Sequence, residues 1–101
     1  MFARVTTLEV PPERVDEFTR FNQEQILPQV RQLQGFKGTL LLGDPQSGRM
    51  RGTFLWESAE ALRGSAEAAS GLRSSLAEAT GAEIVSVEEY EVSLFQLSLL
   101  P

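Results

Sequence analysis

The chain has 101 residues, with 9 Lys+Arg against 14 Asp+Glu, no histidine and no cysteine, for a formal net charge of −5. That balance argues against nucleic acid or an anionic membrane surface as partner, since both are held by clustered Lys and Arg. Without cysteine there are no disulfides, thiolate nucleophiles or Cys-ligated metals; without histidine the commonest metal ligand and neutral-pH general base is gone. The length predicts one small domain over 1–101, which on its own buries only roughly two-thirds of its unfolded surface and gains from self-association. No stretch has the apolar run of a signal peptide or a bilayer span, so the expected location is cytoplasmic.

The first predicted element is a strand over Phe2–Val10, rich in Val, Leu and Thr and stopped by Pro11-Pro12, which cannot donate to a ladder. A helix over Glu13–Leu33 follows, because Val15, Phe18, Phe21, Ile26, Val30 and Leu33 recur in steps of three and four. Pro28 interrupts it, since its ring collides with the carbonyl of Glu24, so a kink or break is expected there.

Phe36–Gly43 and Arg49–Glu57 read as strands joined by a hairpin loop, Asp44-Pro45-Gln46-Ser47-Gly48. Simple alternation puts Phe36, Leu40 and Leu42 on one face and Leu41 on the other; Met50, Phe54 and Trp56 share a face, with Leu55 opposite. Ser58 is the expected N-cap of a second helical segment to Ala79, split near Ser70-Gly71. The last predicted strand, Glu83–Leu99, is long for so small a sheet. Its parity changes at Glu88-Glu89 and again at Leu94-Phe95, implying bulges or bends.

The order β-α-β-β-α-β predicts an α+β fold of the ferredoxin-like type: a four-stranded antiparallel sheet with both helices on one face. The other face, carrying Leu41, Leu55 and Val5 or Leu8, is too apolar to stay bare. A homodimer packed sheet face to sheet face is therefore expected, the long last strand reaching toward the partner.

Three runs carry a family resemblance: Ile26-Leu27-Pro28-Gln29-Val30-Arg31, Gly35-Phe36-Lys37-Gly38, and Leu55-Trp56-Glu57-Ser58-Ala59-Glu60-Ala61. Together they make nearly the whole chain resemble the antibiotic-biosynthesis-monooxygenase-like members of the dimeric α+β barrel superfamily. The resemblance implies the ferredoxin-like protomer and a two-fold dimer with a barrel between its sheets. It also brings two known chemistries to weigh. The haem-degrading branch uses an Asn, a Trp and an iron-ligating His at positions that fall near Thr6, Ser65 and Ser74 or Ser75; none matches, and a chain without histidine cannot supply that ligand. Branches that oxidise phenols or quinols without a cofactor rely on polar and aromatic side chains in the cavity between helices and sheet.

Candidate ligand-binding residues follow from that cavity. Trp56, at the entry from strand to helix, is either a wall stacking on a flat ligand or plain core. Tyr90 offers a hydroxyl, and Asn22, beside Phe21 on the first helix, offers an amide. Phe21 itself fits both cavity lining and core. Arg4 and Arg51 are anion binders, partners of a strand carboxylate, or residues of the dimer interface. Adjacent Glu88 and Glu89 point to opposite faces, so they do not converge on a metal. No cofactor and no metal is expected. Two functions stand: a homodimeric small-molecule-binding or structural protein without an evident catalytic site, or a cofactor-independent monooxygenase acting on an aromatic or quinol-like small molecule.

Overall fold

The computed structural model describes residues 1–99. Strands β1 (Phe2–Glu9), β2 (Phe36–Asp44), β3 (Arg49–Trp56) and β4 (Glu83–Glu91) form one antiparallel sheet in the order β2-β3-β1-β4. Helical segments lie between β1 and β2 and between β3 and β4. This is the ferredoxin-like arrangement that the element order predicts.

The first helical segment is built in pieces. A 3-10 turn at Pro12–Arg14 leads into α1 (Val15–Phe21), a π-helical turn over Asn22–Ile26, and α2 (Leu27–Val30). The expected disruption by Pro28 thus takes the form of a widened turn just upstream. The Leu27 N–H donates to the Asn22 carbonyl, five residues back. A turn widened in this way makes room for the proline ring without breaking the rod. Phe18, Ile26 and Val30 from this segment meet Leu8 of β1 and Met50 and Trp56 of β3 in the core.

On β2 a bulge between Phe36 and Gly38 shifts the register against β3. This corrects the face assignment made from alternation. Leu41 pairs with Gly52 and faces the helices, while Leu40 and Leu42 pair with Thr53 and Arg51 on the bare face. One inserted residue reverses every side chain beyond it. Leu8 is likewise core, leaving Val5, opposite Thr53, as the β1 aliphatic on the bare face.

Between β3 and β4 the break also falls elsewhere than expected. Ser58 caps α3 (Ala59–Gly64) by accepting from the Ala61 N–H at 3.0 Å, and α4 (Ala66–Thr80) runs straight through Gly71. The chain bends at Ser65 instead, because Ser65 is buried under tertiary hydrogen bonds whereas Gly71 is merely exposed. A helix-interior glycine costs only about 1 kcal/mol, which packing overrides. Strand β4 ends at Glu91, and 92–99 carries no strand; the bend expected at Leu94-Phe95 lies in that segment. The β4 bulge sits at Val85, where pairing to β1 shifts between Thr7 and Leu8, and not at Glu88-Glu89.

The hairpin loop closes through Asp44, whose carboxylate accepts from the Gln46 N–H and the Ser47 hydroxyl, each at 3.0 Å. Those bonds hold its pKa below the ordinary carboxylate value. Gly48 follows with φ +81°, and a Cβ there would run into the Val10 carbonyl. Gly48→Ala should therefore lower stability by about 2–3 kcal/mol, the combined effect of a left-handed backbone and a backbone clash. Gly71→Ala, whose Cβ meets nothing within 4 Å, should raise stability by about 0.5–1 kcal/mol; urea-denaturation midpoints of the two variants check both signs.

Candidate functional site

Between helices and sheet lies a cavity walled by Leu8, Phe18, Ile26, Leu41, Phe54 and Trp56, among other apolar side chains. Its floor is Gly52 on β3: with no side chain on the helix-facing side, the strand leaves a gap that Thr6 of β1 and Leu41 of β2 only border. Its roof comes from α4, where Ala69, Leu72, Arg73 and Leu76 share one face at helical spacing. The π turn contributes Asn22, whose Nδ2 donates to the Phe18 carbonyl at 3.1 Å, leaving its Oδ1 as an acceptor. The cavity holds about 50 Å3, enough for water but less than the roughly 150 Å3 that accepts a benzene ring. A ring ligand must therefore displace side chains. Leu33, Leu41 and Leu72 are the half-buried leucines of the lining.

Trp56 is 1% exposed and packs edge-on against Phe36, with centroids 5.7 Å apart. It is core and cavity wall at once, so the two readings of the sequence are not exclusive. Its Nε1–H is the one buried side-chain polar atom among the described residues that has no hydrogen-bond partner. An unmet buried donor costs about 1–3 kcal/mol.

The cavity's charged end is Arg4, 3% exposed on β1. Its Nε and Nη2 donate to the Glu89 carboxylate on β4 at 3.2 and 3.1 Å. Nη1 donates to Ser65 Oγ and Nη2 to the Leu62 carbonyl, both at 2.8 Å. Arg4 is thus the partner of a strand carboxylate, one of its sequence readings. Arg73 lines the cavity beside it without an ion-pair partner among the described residues. Burial, and then the like charge of Arg4, lower its pKa, while Glu89 opposes them.

Of the four candidates read from the sequence, the structure brings Trp56 and Asn22 to this cavity. Phe21 is half-buried against the core but outside the lining. Tyr90 does not face the cavity: it pairs with Ala3 on the bare side of the sheet, half exposed. There its hydroxyl donates to Glu88 at 2.9 Å, and that carboxylate holds the phenol pKa above its ordinary value. Strand parity in β1 and β4 separates Tyr90 from Trp56 by the thickness of the sheet. Arg51 lies on the same bare side, opposite Leu42 and Thr7. Sequence reasoning missed Gly52 and Arg73. The signal for Arg73 was its place one residue beyond Leu72 and three before Leu76 on an amphipathic helix.

No family model matches the sequence. Two uncharacterised proteins of Mycobacterium tuberculosis resemble it. Rv2557 is 34% identical over 93 residues, 92% of this chain and 41% of its own length; Rv2558 is 35% identical over 94 residues, 93% and 39%. The chain thus spans about two fifths of the length of these relatives. Among solved structures, the monooxygenase from the gene ActVA-Orf6 of Streptomyces coelicolor, in complex with nanaomycin D, superposes with a TM-score of 0.70 at 18% identity, covering 99% of this chain and 91% of that one. An antibiotic biosynthesis monooxygenase gives 0.64 at 17% identity over 93% and 100%. A dimeric ferredoxin-like protein from an uncultured marine organism gives 0.69 at 12% over 97% and 100%. The chain therefore has the fold of antibiotic-biosynthesis-monooxygenase-type proteins, as its sequence motifs suggest; at these identities the likeness concerns fold and not chemistry.

Arg4 is buried with Glu89 as its carboxylate partner, so Glu89→Gln should destabilise the fold by about 1–3 kcal/mol. Chemical denaturation at neutral pH checks this, and an unchanged midpoint would mean the pair is not holding the sheet to the helices.

Proposed function

We propose that the chain acts as a homodimeric small-molecule-binding protein, each copy taking an aromatic ligand between its helices and sheet. The observation that carries this reading is the unpartnered Trp56 Nε1–H in the wall of a largely apolar cavity. A filled core has no use for such a donor; a ligand oxygen does. Gly52 supports the reading, because the floor it leaves open is bounded by Leu41 at an ordinary contact distance of 3.8 Å from where a Cβ would stand.

The dimer follows from the bare sheet face. Leu40 and Leu42 on β2 are more than half exposed, and the same face carries Leu55, Val5 and, on the far edge strand, Tyr90. Burying several hundred Å2 of such surface contributes many kcal/mol at about 25 cal/mol per Å2, before the losses of association. The apolar segment after β4, with Leu94, Phe95, Leu97 and Leu99 exposed, adds further surface that a second copy would cover.

A second reading, cofactor-independent monooxygenation of an aromatic or quinol-like molecule, is favoured by the neighbour solved with nanaomycin D. In it one oxygen atom of O2 enters the ring, the other leaves as water, and the electrons come from the substrate. Oxygen uptake with a panel of hydroquinones separates turnover from binding.

Sedimentation equilibrium at low micromolar concentration should give twice the chain mass, and Leu55→Glu the single mass. Gly52→Val should fold normally yet lose at least ten-fold in affinity for small aromatic probes, read from the emission of Trp56, the chain's single tryptophan. Full-strength binding by Gly52→Val would remove the cavity from the account.

A further inference from the structure

The cavity has the opposite charge to the protein around it. The chain carries a net −5, yet the lining holds two arginines, Arg4 and Arg73, and no carboxylate. Arg4 is engaged: its guanidinium bonds Glu89, Ser65 and the Leu62 carbonyl, and with Glu89 it forms a near-neutral unit. The surplus is Arg73. It is half-buried in an apolar lining, with no ion-pair partner among the described residues. Burial and the neighbouring Arg4 charge both disfavour its cation, but a guanidinium does not deprotonate at neutral pH. Such a charge is stabilised by gaining a counter-ion in a poorly solvated place. The Trp56 Nε1–H, buried and unpartnered, is also a donor; the neutral Asn22 Oδ1 is an acceptor in the same lining.

We infer that the cavity selects a small flat acid: a ring against the apolar wall, with an ionised oxygen, carboxylate or phenolate, paired to Arg73. A second acceptor oxygen on such a molecule would satisfy Trp56 Nε1–H. A cationic ligand would meet the Arg73 charge with no carboxylate in the lining to pair it. This inference rests on the cavity being a ligand site and adds the class of ligand.

One tryptophan gives one indole N–H resonance, so a 15N–1H correlation spectrum reads the site directly. Benzoate, benzyl alcohol and benzylamine, matched in size, are titrated into the wild type, Arg73→Gln and Gly52→Val, with sodium chloride as the ionic control. Benzoate should move the indole resonance of the wild type saturably, at least ten-fold more tightly than benzyl alcohol, and benzylamine and chloride should leave it in place. Arg73→Gln, which removes no bond to the rest of the protein, should cut benzoate affinity at least ten-fold and leave benzyl alcohol unchanged. If benzoate and benzyl alcohol bind alike and Arg73→Gln alters neither, the acid class is overturned while the cavity reading stands. If no probe moves the wild-type indole, or Gly52→Val responds as the wild type does, the cavity reading falls and this inference with it.

Discussion

A single buried guanidinium ties this fold together. Arg4 lies near the middle of the central strand pair and reaches Glu89 on β4, the Leu62 carbonyl at the end of α3, and Ser65 where α3 gives way to α4. A buried charge needs the acceptors that hold it, so these partners cannot drift independently. The consequence reaches the backbone: the chain bends at Ser65 because its hydroxyl both accepts from Arg4 and donates to the Leu62 carbonyl. That bend sets the line of α4 across the sheet, and with it where Arg73, Leu72 and Leu76 meet the cavity.

The cavity exists because two local irregularities coincide. Gly52 gives the sheet a position without a side chain, and the bulge after Phe36 turns Leu41 toward that gap to border it without filling it. Above it, the π turn over Asn22–Ile26 widens the helix where Pro28 demands room. Widened turns of this kind recur at functional sites, and here one places an amide in the lining. The polar groups left over are donors in excess, in a wall otherwise apolar.

The same bulge shapes the opposite face. By turning Leu40 and Leu42 outward, beside Thr53 and Arg51 and on the face that carries Leu55 and Val5, it makes the uncovered side of the sheet greasier than plain alternation suggests. Helices can cover only one face of a four-stranded sheet in a chain of this length. The two faces thus differ: a cavity lined by apolar side chains and two arginines on one side, and on the other aliphatic side chains interspersed with Thr53, Arg51 and Thr7, with Tyr90 and Glu88 at the β4 margin.

Much of this was legible in order and spacing. The sequence of elements, the Ser58 cap, the hairpin at Asp44–Gly48 and the disturbance ahead of Pro28 all depend on interactions within a few residues, or on the period of a helix or strand. What failed depended on register. No local signal marks the extra residue in β2, so Leu41 exchanged faces with Leu40 and Leu42; none separated Tyr90 from Trp56, because the two faces of a strand differ by one residue; and none showed that Ser65, not Gly71, would break the helix, since the deciding bonds come from a strand 61 residues earlier. Local composition determined the elements and the need to cover one side of the sheet. Only the assembled tertiary structure decided which arginine is paired and which is free, because counter-ions are allotted by three-dimensional proximity, which no spacing along the chain encodes.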